Sequence, residues 1–481
     1  MISSNKIQAG TLFDHQAQGA TLEPRPIDVD VETSGGSHSI AFAGLFVFTL
    51  LLYARPQEIV PQLFGDLPLV KVIAIGTLMF YAVGKLRAGE RFTIWPLEMM
   101  MLAVIVLLGI AFVPIAHAPQ NSIAMLTDTF FKVITIFVLM VNLLTTRRRL
   151  HLIMKLVVFC GVLIAFITIK NYLSGKLDVS HISGKLVPIL NGNTFDNTNE
   201  LAQTLVLLLP FAIVFAVTSK GFARVGYAVC AAIIAMGAVI TFSRGGFLGL
   251  LSMGCVLMWK LGRGRRGTTV LAAVVLLGIF AVVMPSGYSE RVLTIFNPSK
   301  DPTNSAQERQ EILARGVDLA LHHPIAGVGM GNFPEYTVKG KVAHNSYLEI
   351  AAELGWIGLA AYLTFLLAPF RSLKKIERYL LAAGSSSDGT ESQELYYLSV
   401  GLQAVMVAFL VCSFFSSSQY FWHPYYIVGY SIALRRICAA RLASGQTPAS
   451  AEPALTSTGG ALWRSPDKLQ VFAGSKETLW K

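Results

Sequence analysis

Two arginines and one histidine stand out because their side chains suit the chemistry of phosphate groups. Arg244 lies in a short Ser-Arg-Gly-Gly turn between two apolar segments, and Arg309 lies in a polar stretch of the longest loop. His344 lies just before a segment that is typical of a helix start. A guanidinium binds two phosphate oxygens at once, a helix start attracts anions, and histidine accepts a proton near neutral pH. These three residues predict a site for an anion, such as a phosphate or pyrophosphate on a lipid.

Other polar residues lie at the expected ends of apolar segments. Asn199 and Glu200 open one such segment, Asn345 follows His344, and Arg55 follows the first apolar segment. We interpret these residues as candidate substrate-binding groups on the same side as the phosphate-binding candidates.

Each of the main candidates also has a structural interpretation. Arg244 could anchor a lipid headgroup, and Arg309 could snorkel or form an ion pair. His344 could be a hydrogen-bonded histidine at the membrane interface. Asp128 and Lys132 are four residues apart in an apolar segment, which predicts a structural ion pair between them.

The composition sets the class of protein that carries these residues. The chain has 481 residues, of which 53% are hydrophobic and 14% are charged. Typical soluble domains have roughly 25% charged residues, so a soluble protein of this length is excluded, as are disordered and disulfide-rich classes. The sequence predicts an all-α, polytopic integral membrane protein.

A transmembrane helix needs about 20 mostly apolar residues. Twelve segments of the chain fit that requirement. They are 39–54, 67–84, 97–116, 123–144, 151–170, 199–218, 225–241, 243–260, 268–285, 346–369, 396–415 and 420–436.

The positive charges predict the orientation of these spans. Lys and Arg cluster in alternate short loops, for example at 147–149 and 260–266, and cytoplasmic loops carry such an excess. Both termini are then cytoplasmic, and the candidate site faces the outer side of the membrane. The net charge of +11 is thereby distributed over scattered loops, which argues against nucleic acid as a partner.

The same pattern divides the chain into three parts. We expect a disordered cytoplasmic tail over 1–37, a polytopic membrane domain over 38–436 and a cytoplasmic C-terminal tail over 437–481. The membrane domain contains a large loop on the outer side of the membrane over 286–345.

Two capping-box patterns predict helices at the end of the chain's longest loop. Ser305 and Glu308 predict a helix that ends near His323, and Ser346 and Glu349 predict the start of the tenth span. One face of the first helix is expected to hold Arg309, Ile312, Leu313, Gly316 and Ala320.

The sequence lacks the common motifs that bind cofactors or metal ions. The glycines of 327–331 follow no strand, so they favour a compact turn over a dinucleotide site. We find no Walker motif, no HExxH, no GxSxG and no carboxylate cluster typical of a metal site. We therefore expect no cofactor and no metal.

The candidate residues also lie in motifs that resemble a known family. Pro324-x-x-Gly-Val-Gly-x-Gly-x-Phe333, then His344-Asn-Ser-Tyr-Leu348 and Glu353-Leu-Gly-x-x-Gly358, are similar to the motif region of the bacterial O-antigen ligase/polymerase superfamily. The Ser243 to Gly246 turn and the Asn-Glu-Leu-Ala string from Asn199 resemble two further family motifs in the expected order. The resemblance covers roughly 195–365.

The resemblance implies a fold and an activity. The fold would be a GT-C-like helical bundle with one long periplasmic loop that contains helices. The activity would be metal-independent, inverting transfer of a glycan from undecaprenyl pyrophosphate. A ligase passes it to lipid A-core oligosaccharide, and a polymerase to a growing glycan chain. The family's catalytic residues correspond to His344, Arg244 and Arg309.

One position departs from the family pattern. Many members have an aromatic residue four positions after the loop arginine, whereas this chain has Leu313. Arg315 is therefore the alternative loop arginine, and we include it among the substrate-binding candidates.

Two alternatives to a ligase remain open from the sequence. One is an O-antigen or exopolysaccharide polymerase of the same superfamily. The other is a transporter of polysaccharide or lipid-linked sugar, although we find no internal repeat, and the candidate residues cluster on one side rather than at mid-membrane.

Overall fold

The computed structural model describes residues 37–54, 69–89, 96–174, 198–261, 305–337, 340–382 and 389–443. The chain divides into Met1–Thr33 and Ser34–Lys481. The first unit lies outside the described residues, as do Arg55 and the predicted span 268–285. All the described helices belong to the second unit.

The described ranges are helical and contain no strand, so the prediction of an all-α protein is confirmed for them. We number the α-helices in chain order. They are α1 Ser37–Ala54, α2 Leu69–Ala88, α3 Leu97–Ala111, α4 Pro119–Leu143, α5 Arg147–Leu173, α6 Thr198–Thr218, α7 Gly221–Ile240, α8 Arg244–Leu261, α9 Ser305–His322, α10 Ser346–Ala382, α11 Gly389–Cys412 and α12 Trp422–Ala443. Short 3₁₀ helices lie at Val113–Ile115 and Phe333–Tyr336.

Eight helical segments of the described part are long and apolar enough to cross a membrane. They are Leu69–Ala88, Leu97–Ile115, Pro119–Leu143, Arg147–Leu173, Thr198–Thr218, Gly221–Ile240, Ser346–Leu381 and Glu391–Cys412. The protein is therefore a polytopic helical membrane protein. The predicted spans 39–54, 243–260 and 420–436 coincide with α1, α8 and α12, which are outside this set, so the count of twelve stays a prediction.

Helices α6 and α11 form the centre of the bundle. They are the two most buried of the eight segments; α6 packs against α5, α7, α8 and α11. Helix α10 packs against α3, α9, α11 and α12. Small residues allow α8 to approach closely: a Cβ on Gly246 would lie 2.6 Å from the Cβ of Ala202 in α6. This packing fixes the first turn of α8, where Arg244 lies.

Three ion pairs between the described helices lie at one end of the bundle, which we call the ion-pair end. Arg435 of α12 contacts the buried Glu98 of α3 with both terminal nitrogens, at 2.8 and 3.1 Å. Lys260 of α8 pairs with the buried Glu377 of α10. Arg147 of α5 pairs with Glu394 of α11. These pairs join α12 to α3, α8 to α10 and α5 to α11.

One predicted ion pair has a different partner in the structure. Asp128 pairs with Lys71 of α2 rather than with Lys132. Asp128 lies in a π-helical turn, Met125–Phe130, inside α4. In such a turn the bonding runs to the fifth residue, so residues four apart no longer stack as they do in an α-helix. Lys132 still acts on Asp128 electrostatically.

Candidate active site

His344 lies at the start of α10 with an unusual backbone conformation. Its φ is 51°, in the left-handed region that only a few per cent of non-glycine residues adopt. Its backbone N–H donates to the hydroxyl oxygen of Ser417 at 3.0 Å. Ser417 belongs to the segment 413–421, which connects α11 and α12 and which we call the serine loop. The side chain of His344 is half-buried.

The N-cap of α10 is Asn345, so the capping box predicted for Ser346 and Glu349 is wrong. The Asn345 Oδ1 accepts from the N–H groups of Tyr347 and Leu348, at 3.0 and 3.1 Å. The N–H of Ser346 donates instead to the carbonyl of Ser413 at 2.9 Å. In a capping box the Glu349 carboxylate would accept from the N–H of Ser346. Here the carbonyl of Ser413, in the serine loop, accepts from it instead. Asn345 was predicted to bind substrate, and its oxygen is used by the helix.

Two glutamates of α10 lie buried one turn apart beneath His344. Glu349 accepts from the N–H of Ala343 at 2.9 Å, from the amide of Gln419 at 2.8 Å and from the Ser417 hydroxyl. Glu353 accepts from the N–H of Phe333 at 3.1 Å and from the Tyr420 hydroxyl at 2.8 Å. The two carboxylates therefore connect α10 to the serine loop and to the segment that follows the glycines.

The glycines after α9 form a compact turn against α10, as the sequence predicts. The N–H groups of Val328 and Gly329 donate to the carbonyls of Ala352 and Glu353 at 2.9 and 3.0 Å. Gly327 has φ +64°, and a Cβ there would lie 2.3 Å from the carbonyl of Glu353. Gly355, with φ 69° and ψ −176°, interrupts α10 opposite this turn. Only glycine fits both positions, because a side chain would meet backbone atoms.

Asn332 anchors the far side of the glycine turn. Its Oδ1 accepts from the N–H of Ala118 at 2.9 Å, and its Nδ2 donates to the hydroxyl of Ser122 at 2.8 Å. The Ser122 hydroxyl donates in turn to the carbonyl of Met330 at 2.8 Å. The turn is therefore held between the start of α4 and the first part of α10.

Arg244 is the first residue of α8 and is half-buried. The preceding hydroxyl of Ser243 accepts from the N–H of Gly246 at 3.1 Å and donates to the Asn199 Oδ1 at 2.7 Å. A Cβ on Gly245 would lie 2.8 Å from the Cβ of Phe415 in the serine loop. The turn that carries Arg244 is thus held between the start of α6 and the serine loop, and Asn199 is part of its support.

Buried side chains of α6 fix the same loop from inside the bundle. The Gln203 amide donates to the Ser418 hydroxyl at 3.0 Å and accepts from the Ser416 hydroxyl at 2.7 Å. The Ser346 hydroxyl donates to the carbonyl of Ser416 at 2.7 Å. The serine loop therefore contacts α6, α10 and the turn before α8. It brings Arg244 and His344 to the same end of the bundle, which we call the serine-loop end.

Helix α9 lies against α10 and carries both candidate loop arginines. Its buried residues are Ile312, Gly316, Leu319 and Ala320. Leu313 is 45% exposed, so its predicted place on the buried face is wrong. Adjacent residues lie about 100° apart around a helix, and Ile312 already occupies the packed face. The prediction of a helix that ends near His323 is confirmed by the observed end at His322.

The two loop arginines have different surroundings. Arg309 lies three residues before Ile312 on the packed face and is half-buried. The side chain of Arg315 is 58% exposed, contacts Asp318 at 3.6 Å and donates to the carbonyl of Tyr336 at 3.2 Å. Arg309 therefore faces the bundle, whereas Arg315 fastens α9 to the following 3₁₀ helix.

An apolar groove of about 310 Å³ runs between α9, α10 and the serine loop. Exposed apolar side chains line it, and Asn345 lies at its edge next to His344. The lining includes Leu313, Val317, Leu321, Tyr347, Trp356 and Phe414.

The remaining candidates lie in other parts of the chain. Glu200 lies in the first turn of α6, one residue after Asn199, and is half-buried. Arg55 lies outside the described residues. Within the described ranges, no group of three or more His, Cys, Asp or Glu residues is arranged to hold a metal ion.

Gln203, Glu353 and the residues of the serine loop were not identified from the sequence as part of this site. Glu349 was predicted only as a capping residue. A run of three serines followed by glutamine between two apolar segments is the signal that could have found the loop.

Comparison with known proteins bears on this arrangement. Residues 228–363 match the family model described as O-Antigen ligase. The described helices are those of a polytopic helical membrane protein. The match confirms the resemblance to the O-antigen ligase superfamily. No curated protein matches the chain.

The family match indicates ligase or polymerase activity of the O-antigen type, in polysaccharide biosynthesis. It implies a glycosyltransferase-like enzyme that uses a lipid-linked glycan and an acceptor. The matched segment contains Arg244, Arg309, Arg315, His344 and Asn345, but it excludes Asn199, Glu200 and the serine loop.

Proposed function

We propose that the protein is an O-antigen ligase-type glycosyltransferase of the bacterial inner membrane. It transfers a glycan from undecaprenyl pyrophosphate to lipid A-core oligosaccharide at the periplasmic face. The observation that carries this proposal is the position of Arg244 and His344. Both belong to the matched segment, and the structural elements that carry them contact one loop at one end of the bundle.

The two arginines bind the donor in this mechanism. Arg244 lies at a helix start, and the positive end of the helix dipole there also favours an anion. Arg309 lies on the side of α9 that faces α10. Their charges bind the pyrophosphate and stabilise the negative charge that grows on it as the sugar leaves.

His344 acts on the acceptor. Its imidazole accepts the proton of the acceptor hydroxyl, whose oxygen forms a bond to the anomeric carbon. The bond between that carbon and the pyrophosphate oxygen breaks, and undecaprenyl pyrophosphate leaves with the electron pair. Attack from the opposite side inverts the configuration at the anomeric carbon. No residue of this scheme requires a metal ion.

The apolar groove supports a lipid-linked donor. It is open, its lining is mostly apolar, and Asn345, the neighbour of His344, is one of its lining residues. A hydrocarbon chain in the groove would place a lipid's pyrophosphate near the starts of α8 and α10. If the donor were a free sugar nucleotide, which has no hydrocarbon chain, nothing in the donor would fill this apolar groove.

The test is transfer by purified protein in liposomes that contain donor and acceptor but hold no ion gradient. We expect glycan transfer by the wild-type protein and loss of transfer in His344→Ala. His322→Ala is the matched control, because this histidine is exposed at the end of α9, and it should transfer normally. Near-normal product from His344→Ala would refute the role given to His344. Movement of the glycan lipid across the bilayer without transfer would instead indicate a transporter.

A deletion strain separates ligase from polymerase. Loss of a ligase leaves long lipid-linked chains that are not attached to lipid A-core. Loss of a polymerase leaves single repeat units that are attached. We expect unattached long chains. Attached single repeat units would show that the protein is a polymerase instead.

The two loop arginines can be compared directly. We expect Arg309→Ala to lose most transfer, because the proposal places its charge at the pyrophosphate. Arg315→Ala should lose little, because this side chain is exposed and paired with Asp318. The opposite order of effects would assign the donor site to Arg315.

A further inference from the structure

We propose that Glu349 is a positioning residue that holds His344 in its working orientation through the hydroxyl of Ser417. The inference rests on the proposed function, in which His344 accepts the acceptor proton. It concerns a buried carboxylate that the proposed mechanism does not use.

The backbone of His344 needs support from its surroundings. A φ of 51° is unfavourable for a non-glycine residue, so surrounding contacts must hold it. The contact that holds its N–H is the Ser417 hydroxyl oxygen at 3.0 Å. Without that acceptor, the N–H of His344 would lose a hydrogen bond that fixes the left-handed turn.

The Ser417 hydroxyl has a defined direction between two partners. Its oxygen accepts from His344, and its hydrogen donates to the Glu349 Oε2. The same Oε2 accepts from the N–H of Ala343 at 2.9 Å. One carboxylate oxygen therefore controls both residues 343 and 344, directly in one case and through one hydroxyl in the other.

Glu349 is itself held rigidly. It is 5% exposed, and its Oε1 accepts from the amide of Gln419, which is also buried. A carboxylate with three donors from two segments has few alternative positions. The chain of contacts from the interior to the active site runs from α10, through the serine loop, to the backbone of His344.

Glu353 provides an internal comparison one turn further along α10. It is as buried as Glu349, but it accepts from Phe333 and Tyr420 and so supports the glycine turn. The two carboxylates differ in what they hold rather than in burial. A loss of kcat that follows substitution of Glu349 but not of Glu353 would therefore come from the support of His344 rather than from the loss of a buried carboxylate.

The experiment measures kcat and KM per folded molecule, after size-exclusion chromatography in detergent, with the full-length protein and its lipid-linked donor. A displacement of about 1 Å at a reacting group can cost about 100-fold, so we expect that loss of kcat in Glu349→Ala. Ser417→Ala should lose about 10-fold, with the KM of donor and acceptor unchanged in both variants. The double variant should be no worse than Glu349→Ala, because both changes break one chain of contacts.

Conservative variants test the hydrogen bonds separately from the charge. Glu349→Gln keeps an oxygen for Ala343 and Ser417, and the amide of Gln419 can turn to present its oxygen to the new NH₂ group. We expect it to stay within about threefold of the wild-type kcat, since the geometry is kept. Ser417→Thr keeps the hydroxyl and should recover most of what Ser417→Ala loses.

Ser413→Ala is the matched control in the same loop. Ser413 meets α10 through its carbonyl, which accepts from Ser346, so the change leaves that bond in place. We expect normal kcat. If Glu349→Ala yields no folded protein, Ser417→Ala and Ser417→Thr decide the question alone.

The inference is overturned if Ser417→Ala keeps kcat within twofold of wild type, or if Ser417→Thr is as impaired as Ser417→Ala. A raised KM with unchanged kcat also overturns it, because that pattern belongs to binding. His344→Ala separates this failure from failure of the proposed function. Active His344→Ala removes the mechanism, whereas inactive His344→Ala with fully active Ser417→Ala removes only the positioning role.

Discussion

Buried carboxylates at the ion-pair end meet cations, whereas those at the serine-loop end meet hydroxyls, amides and backbone N–H groups. Glu98 and Glu377 face Arg435 and Lys260 across helix contacts. Glu349, one turn from His344, faces a serine, a glutamine and an N–H group. Both arrangements satisfy the hydrogen bonds of a buried carboxyl group, but only the first also places a charge of opposite sign beside it.

This difference suggests that the ion-pair end stabilises helix packing, whereas the serine-loop end serves the proposed transfer. At the ion-pair end, Arg435, Lys260 and Arg147 each have an acidic partner on another helix, so their charges fasten helices together. At the serine-loop end the carboxylates are held by neutral donors, and Arg244 and Arg309 lie on the first turns of two helices. The comparison predicts that changes at the ion-pair end reduce stability, whereas changes at the serine-loop end reduce transfer.

Arg244→Ala tests the serine-loop end with the largest expected effect. Removal of one group that stabilises transition-state charge costs up to about 1000-fold in kcat, roughly 4 kcal/mol, and we expect a loss of that size. The measurement is kcat for glycan transfer per folded molecule, with thermal unfolding in detergent as the control for stability.

Arg244→Lys sharpens this result. A lysine keeps the charge but loses the planar pair of donors, so we expect poor rescue. Full rescue would show that charge alone suffices at this turn.

Glu98→Ala tests the ion-pair end. It leaves Arg435 without its buried partner, and breaking such a pair costs about 3 kcal/mol of unfolding free energy. We expect a lower unfolding temperature in detergent, while kcat per folded molecule stays normal. The double change Glu98→Leu with Arg435→Met should recover stability, because it removes both charges. A large fall in kcat for Glu98→Ala would break the comparison between the two ends.

Gly327→Ala tests the contact between the glycine turn and α10. The added Cβ would lie 2.3 Å from the Glu353 carbonyl, so the turn must move. Gly340→Ala is the matched control: its φ is +63°, close to the +64° of Gly327, but no atom lies within 4 Å of the added Cβ. We expect Gly327→Ala to unfold with about 2 kcal/mol less free energy than Gly340→Ala, and to transfer less. Equal effects would mean that backbone strain, rather than the contact, sets the cost.

Asn121→Ala is the smallest expected effect. It removes an exposed hydrogen bond to Glu335, of 2.8 Å, beside the glycine turn. Exposed bonds of this kind contribute about 1 kcal/mol or less, so we expect stability and kcat to stay close to wild type. A strong loss of transfer would extend the site beyond the serine loop to the start of α4.

The sequence was sufficient for the helices and for the turn around Gly327. Long apolar runs and the change of pattern at Pro324 predict where helices lie, because these signals are local in the chain. The motifs around Asn199, Arg244, Gly327 and His344, in their order along the chain, also predicted the family that the match over 228–363 supports. The roles of Arg244, Arg309 and His344 stay predictions.

The contacts that hold His344 could not be predicted in the same way. Ser417 lies 73 residues after His344, and Gln203 lies 215 residues before Ser418. Neither pair has a local pattern, since the partners meet only when α6, α10 and α11 pack together. For the same reason the helix cap was assigned to Ser346 instead of Asn345: the competing partner, Ser413, comes from a distant loop.

The position of the serine loop has a consequence for how the protein is made. A ribosome delivers the chain from the N-terminus, so α6, α8 and α10 emerge long before residues 413–421. Until then His344 lacks its acceptor, and Glu349 lacks two of its three donors. Nascent chains that stop before the final helix therefore carry Arg244, Arg309 and His344 but cannot assemble the site.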